Sequence, residues 1–284
     1  MPRPYRTSAP RASAVLAAAF LVPALWAAPT LAHEFWIEAE DYTLQPGETL
    51  RADTRVGMRF KGNTQAFLPP RHTRFDIVSG DAVQPLASRI GDRPAVQQRV
   101  EGEGLAIVVH QATDTVLTYK DPAKFAQFVR EEGLDGTLEA HAARGLPEDG
   151  FREVYSRHVK ALVDLGPGGE DRALGLPIEL VVEGDPYSEP MPSGVSVRAL
   201  YNGEPMAGAL LNVFAREADW EREQTEHTPI RLDDEGRATV PLVPGRRYLA
   251  NVVKMREPDA GKAERTGAVW ESLWASTTWS TERD

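Results

Sequence analysis

The sequence predicts a mainly β fold of two β-sandwich units, Ig-like in character, with a helical pair inserted in the first. Three observations lead there. Short apolar runs with period-two alternation recur from Phe35-Trp36-Ile37 to Leu273–Trp279. Turn formers punctuate them, with 23 glycines and 22 prolines in 284 residues, which favours short strands over long helices. The apolar period lengthens to 3.6 in one stretch only, about residues 121–165. The length suits one large or two modest domains, and a 42% hydrophobic share excludes wholesale disorder.

The first 32 residues read as a secretory signal. Arg3, Arg6 and Arg11 form a basic start without an acid, Ala14 to Ala28 is apolar, and Thr30-Leu31-Ala32 offers small residues before a cut. The apolar run is shorter than the ~20 residues of a spanning helix, and no later segment is apolar enough to span. Cleavage after Ala32 removes three arginines and no acid, taking the formal charge from −10 to −13. The expected product is periplasmic, acidic and without a stable membrane span. Its charge argues against nucleic acid as a partner. The chain has no cysteine, which excludes disulfides, thiolate metal sites and cysteine nucleophiles.

Residues 33–186 are expected to form the first sandwich. Phe35-Trp36-Ile37 begins a strand at once, the Pro46-Gly47 turn follows, and Val56–Phe60 is the next run. Phe75–Val78 alternates, then Ser79-Gly80-Asp81 turns. Leu105–His110 and Val116–Tyr119 are further β-rich runs. At Asp121-Pro122 the pattern changes: Asp121 suits an N-cap and Pro122 the first helical position. Phe125, Phe128 and Val129 share a helical face, and Gly133 stops it. A second helix is read from Pro147, with Phe151, Val154, Tyr155, His158, Val159 and Leu162 on one face, closed by Gly166–Gly169. Leu176–Val182 returns to β. The proline-rich stretch Gly184–Pro192 marks the boundary, and residues 191–284 form the second sandwich from Val195–Leu200, Ala209–Phe214, Ala238–Leu242, Tyr248–Val253 and Leu273–Trp279.

Catalytic signatures are missing. There is no Gly-x-Ser-x-Gly elbow, P-loop or dinucleotide fingerprint, and Asp233-Asp234-Glu235-Gly236 reads as a hairpin turn rather than a calcium loop. The expectation is a protein that is not an enzyme. Four scattered methionines remain after processing, too few for a methionine-rich Cu(I) carrier.

The histidines carry the sharper reading. They are His33, His72, His110, His141, His158 and His227, with no pair at i, i+4, so no helix-borne zinc pair exists. Cleavage would make His33 the first residue. Its amine (reference pKa ~7.7–8.0) and imidazole (~6.5) both release protons near neutrality and can close one chelate ring. A second imidazole would complete an all-nitrogen site suited to Cu(II) or Ni(II), and protons would compete with either ion. His110 is the expected partner, because it directly continues a predicted core strand. His158 reads as packed on the second helix, and His72, His141 and His227 as solvated. The competing reading is a non-catalytic interaction module that binds a partner or surface glycan without metal.

The chain also resembles a family of exported bacterial proteins of unknown function, described as the periplasmic component of a nickel-transport complex. The residues that carry the resemblance are Ala32–Glu38, Lys124-Phe125 through Leu134, Arg152–Leu162, Leu174–Leu180 and Asp234–Ala238. It spans nearly all of residues 33–284 and implies a metal-uptake accessory working with a membrane transport complex. His158 stands where that resemblance implies an aromatic, which favours packing there. The C-terminal part is similar to transthyretin-like or carboxypeptidase-regulatory sandwiches.

Overall fold

The computed structural model describes Met1, residues 34–217 and residues 225–282. The expected signal segment after Met1, and His33, therefore lie outside the described residues. Residues 31–284 form one compact unit.

The protein is mainly β, and among the described residues its strands form three sheets. In chain order they are β1 (Glu34–Ala39), β2 (Thr49–Met58), β3 (Lys61–Gln65), β4 (His72–Ser79), β5 (Ala82–Pro85), β6 (Val96–Arg99), β7 (Leu105–Ala112) and β8 (Thr115–Tyr119). Helices α1 (Pro122–Glu131) and α2 (Thr137–Ala143) follow, then β9 (Phe151–Asp164), β10 (Ile178–Glu183), β11 (Gly194–Tyr201), β12 (Glu204–Pro205), β13 (Leu210–Arg216), β14 (Glu226–Arg231), β15 (Arg237–Pro241) and β16 (Arg247–Arg256). Helix α3 (Ala260–Thr266) and β17 (Ala268–Ser280) complete the described chain.

A nine-stranded sheet is the middle layer, in the order β14-β13-β16-β17-β9-β7-β4-β5, with β8 on the first half of β9. Its strands are antiparallel except β17 and β9, which run parallel. On β7, Leu105, Ile107 and Val109 face one core, shared with β10, β11 and β15, while Ala106 and Val108 face another, shared with β1, β2 and β6. Burial on both faces explains the unbroken apolar run of β7. The segment 184–192 joins β10 to β11, which pair with each other, and strands from both sides of it enter the nine-stranded sheet.

Helix α1 forms as its sequence requires. The Asp121 carboxylate accepts from the Ala123 N–H at 3.0 Å, and Pro122 occupies the first turn. Gly133 closes it at φ +59°, and the Leu134 N–H reaches the Val129 carbonyl at 2.9 Å. Phe125, Phe128 and Val129 pack with Tyr119, Phe151, Trp270 and Trp274.

The second expected helix is a strand. Residues 151–164 form β9, and the helical pair is α1 with α2 instead. The reason is burial on two sides. Apolar residues occur at both strand parities, and this mimics a helical face. Glu153, Ser156 and Lys160, which would have lain on the helix's wet side, are buried and paired. The Lys160 ammonium donates to both Asp171 oxygens at 2.7 and 2.9 Å, with all three groups sealed from water. Glu153 meets the Ser272 hydroxyl. Five of the fourteen residues, Phe151, Val154, Tyr155, Val159 and Val163, are β-branched or aromatic, which suits a pleated surface.

Strand β1 fixes the entrance to the site. All six of its residues are buried. One edge pairs with β2. Along β1 the Phe35 and Ile37 carbonyls accept from Ser276 Oγ and Thr278 Oγ1 of β17, at 2.7 and 2.6 Å. The chain immediately after residue 33 is thus held in the interior.

Candidate functional site

His110 ends the apolar run of β7 on the face of Ala106 and Val108, opposite Val159 of β9 and Phe75 of β4. It is buried, and its ring lies 4.9 Å from Phe35 and 4.8 Å from Phe75 between ring centres. Among the described residues its Nδ1 has no hydrogen-bond partner. Burial, aided by nearby His72, His158 and Arg157, pulls its pKa down to about 3. His110 is therefore a neutral imidazole at physiological pH, the form that binds a metal ion. A buried nitrogen without a partner is costly, so it calls for an explanation.

The other histidines sit differently from the expectation. His158 is on β9, not on a helix. It pairs with Gln111 and Ala275, and so faces the side of the sheet opposite His110. It is buried, with Nε2 3.1 Å from Ser156 Oγ. His141 is not solvated: it is buried in α2 and uses both ring nitrogens. Its Nδ1 accepts from Trp270 Nε1–H at 2.9 Å, so its Nε2 carries the proton and donates to the Pro147 carbonyl at 2.9 Å. His227 lies on β14 rather than in a loop, exposed on one side and stacked on Phe214. Its Nε2 meets Asn212 Oδ1 at 2.9 Å. His72 begins β4, is half-buried, and lies near His110.

Acidic groups gather where β1 begins. Glu34 is buried, its Oε1 accepts from the Arg59 N–H at 3.2 Å, and burial raises its pKa. Glu132, at the end of α1, accepts from Asn212 Nδ2 at 3.0 Å and Asn251 Nδ2 at 3.3 Å. Desolvation of its carboxyl, with Glu34 nearby, pushes its pKa up to about 8. Part of its side chain lines a cavity of about 480 Å³ beside Tyr201, Met206, Leu210, Arg231 and Met255, a lining without histidine. Glu34 disfavours the charge of Glu132, and Glu131 disfavours that of both, so this region holds its carboxyl protons tightly. Sequence reasoning missed this cluster, because Glu34 and Glu132 are 98 residues apart and only the fold brings them together.

A family described as a domain of unknown function (DUF4198) matches residues 30–255. The chain belongs to that family. No curated protein matches it. Among solved structures, a chain of a cytokine receptor complex aligns at 13% identity over 87% of this chain and 97% of that one, with a TM-score of 0.21. The Escherichia coli alpha-2-macroglobulin activated by porcine elastase aligns at 14% identity over 87% of this chain and 20% of its own, also at 0.21.

Family membership assigns no chemistry, so the donor set must be judged from the residues. Among the described residues no group of three or more His, Asp or Glu side chains is arranged to hold a metal ion. The free Nδ1 of neutral His110 does fit a single nitrogen ligand. His33 lies outside the described residues.

Proposed function

We propose that this member of the DUF4198 family is an exported metal-binding accessory, not an enzyme, that takes up Ni(II) or Cu(II) at the terminus created by cleavage before His33. The observation that carries this reading is the buried, unpartnered Nδ1 of His110, whose ring packs on Phe35, two residues from His33. The amine and imidazole of His33 would supply two nitrogens and His110 a third, a donor set suited to tetragonal Cu(II) or Ni(II). Three features of the chain's own residues support it. The burial of β1 lowers the ordering entropy that a loose tail would lose on binding. His110 is held neutral, so no proton need leave it. The negative charge of the whole chain attracts cations. In this reading the protein works in the periplasm and passes its ion to a membrane transport complex.

Calorimetry with Cu(II) and with Ni(II) tests the reading. Protein starting at His33 should bind at least tenfold more tightly than protein carrying one extra N-terminal residue. Equal affinity in the two forms would discard the terminal chelate. Absence of tight binding in both would favour a metal-free interaction module.

A further inference from the structure

The ladder between β4 and β7 holds an irregularity that re-aims one side chain. Phe75 pairs with His110 and Arg74 with Gln111, but His72 pairs with Ala112, so one extra residue sits in β4 between His72 and Arg74. Without it, strict alternation would put His72 on the face opposite Phe75. The bulge reverses the parity, placing His72 opposite Ala112, on the face of His110. The result is a cluster of two imidazoles and three phenyl rings. The His72 ring centre lies 5.7 Å from His110, 5.1 Å from Phe67 and 5.4 Å from Phe75, and Phe35 closes the far side of His110.

The spacing is informative. An imidazole nitrogen bound at about 2.0–2.1 Å puts its ring centre about 3.2 Å from the ion. Two such rings would be about 4.5 Å apart when cis at 90° and about 6.4 Å apart when trans. The observed 5.7 Å falls between these limits, a ring separation that one ion can bridge. His110 is buried with Nδ1 unpartnered, while His72 is half-buried and leaves a way in from solvent. Arg157 is the opposing charge: its guanidinium lies 5.7 Å from the Phe35 ring centre, and its positive charge disfavours a second cation beside His110. The phenyl rings add no ligands but exclude water and fix the imidazoles. Ring packing alone would explain the contacts, though not an imidazole nitrogen buried without a partner.

We infer that His72 and His110 form a two-imidazole site for one divalent transition-metal ion, presented by the β4 bulge. The inference deepens the proposed function and rests on its metal-binding reading, but it does not require the terminal chelate. It identifies His72, which the sequence placed in a solvated loop, as the residue that lets the protein keep hold of an ion when the terminus is not engaged.

The test uses Cu(II) alone as probe, with full-length mature chain in two forms, one starting at His33 and one carrying an extra N-terminal residue. Each is compared with His72→Gln and, as an exposed control, His227→Gln. In the extended form His72→Gln should weaken Cu(II) at least tenfold, and the paramagnetic resonance spectrum should lose one coordinated nitrogen. His227→Gln should change neither. His110→Asn should act like His72→Gln, and circular dichroism shows whether that buried variant has folded. The decision rests on the half-buried His72. Unchanged affinity and nitrogen count in His72→Gln would overturn the inference, even if the extension abolishes binding and so supports the terminal chelate. Conversely, equal binding by both forms with loss in His72→Gln would keep the imidazole pair and discard the chelate. No Cu(II) binding in any form would remove both.

Discussion

Glu153 lies fully buried in β9, against the Ser272 hydroxyl. Burial raises its carboxyl pKa to about 7; the bond from Ser272, the nearby Tyr119 hydroxyl and the charge of Arg157 reduce that rise without cancelling it. The folded protein therefore binds this proton more tightly than the unfolded chain does, whose carboxyl titrates near its ordinary value of 4.5. The stabilising effect is complete below about pH 4.5 and is lost as pH rises through about 7. Glu153→Gln should match the parent in urea unfolding at pH 4.5 and exceed it by about 1–3 kcal/mol at pH 8. A parallel loss of stability with pH in both proteins would show that the folded carboxyl titrates normally. At the same scale, the candidate site was legible in part. His110 could be read as a buried position because it continues an apolar run. His72 could not, because its facing depends on a bulge whose register is set by β7, forty residues away in sequence. No local signal in Pro69-Pro70-Arg71-His72 announces that change of parity.

Helix α1 and strand β9 show what local sequence decides and what it leaves to packing. Asp121-Pro122 specifies a helix start by itself, since the cap bond is made within three residues. Asp121→Ala should cost about 1 kcal/mol, read from the shift in urea midpoint, whereas Asp121→Asn should keep most of that. A null effect for Asp121→Ala would mean that packing under Phe125 and Phe128 alone holds the helix. For β9 the local period points the wrong way, because only tertiary partners reveal that its charges are buried. Lys160 is the clearest case. It neutralises Asp171 at 2.7 Å, with Glu179 at 3.5 Å, all at 1–2% side-chain exposure. Asp171 also accepts from the Val182 N–H of β10 at 2.8 Å, so the pair ties the middle sheet to its neighbour. Lys160→Ala would leave two buried carboxylates without their cation and should lower stability by about 3–5 kcal/mol. Lys160→Ala together with Asp171→Asn should recover part of that loss. A cost below 1 kcal/mol for the single variant would show that water reaches the carboxylates.

On the scale of the whole molecule, the question is whether residues 33–186 and 191–284 are separable sandwiches. Strand β17 pairs with β16 over ten residues and with β9 in parallel over a similar length. Its Leu273, Ala275 and Trp279 lie in the core that β10, β11 and β15 cover, while Ser276 and Thr278 hold the carbonyls of β1. Pulling the C-terminal half away would expose both the apolar face of β9 and the polar contacts of β1, and neither half keeps a closed core. Cooperative unfolding as one unit is therefore expected. Buried tryptophans report on separate regions, Trp36 beside Phe60 and Phe214, and Trp274 beneath α1. Tryptophan fluorescence and far-ultraviolet circular dichroism should then give coincident urea transitions, and a fragment of residues 191–284 expressed alone should show no cooperative transition. Two resolved transitions, or a folded fragment, would establish the segment 184–192 as a true domain boundary. In that case the proposed metal-binding end, built from β1, β4 and β7, would belong to the first domain alone.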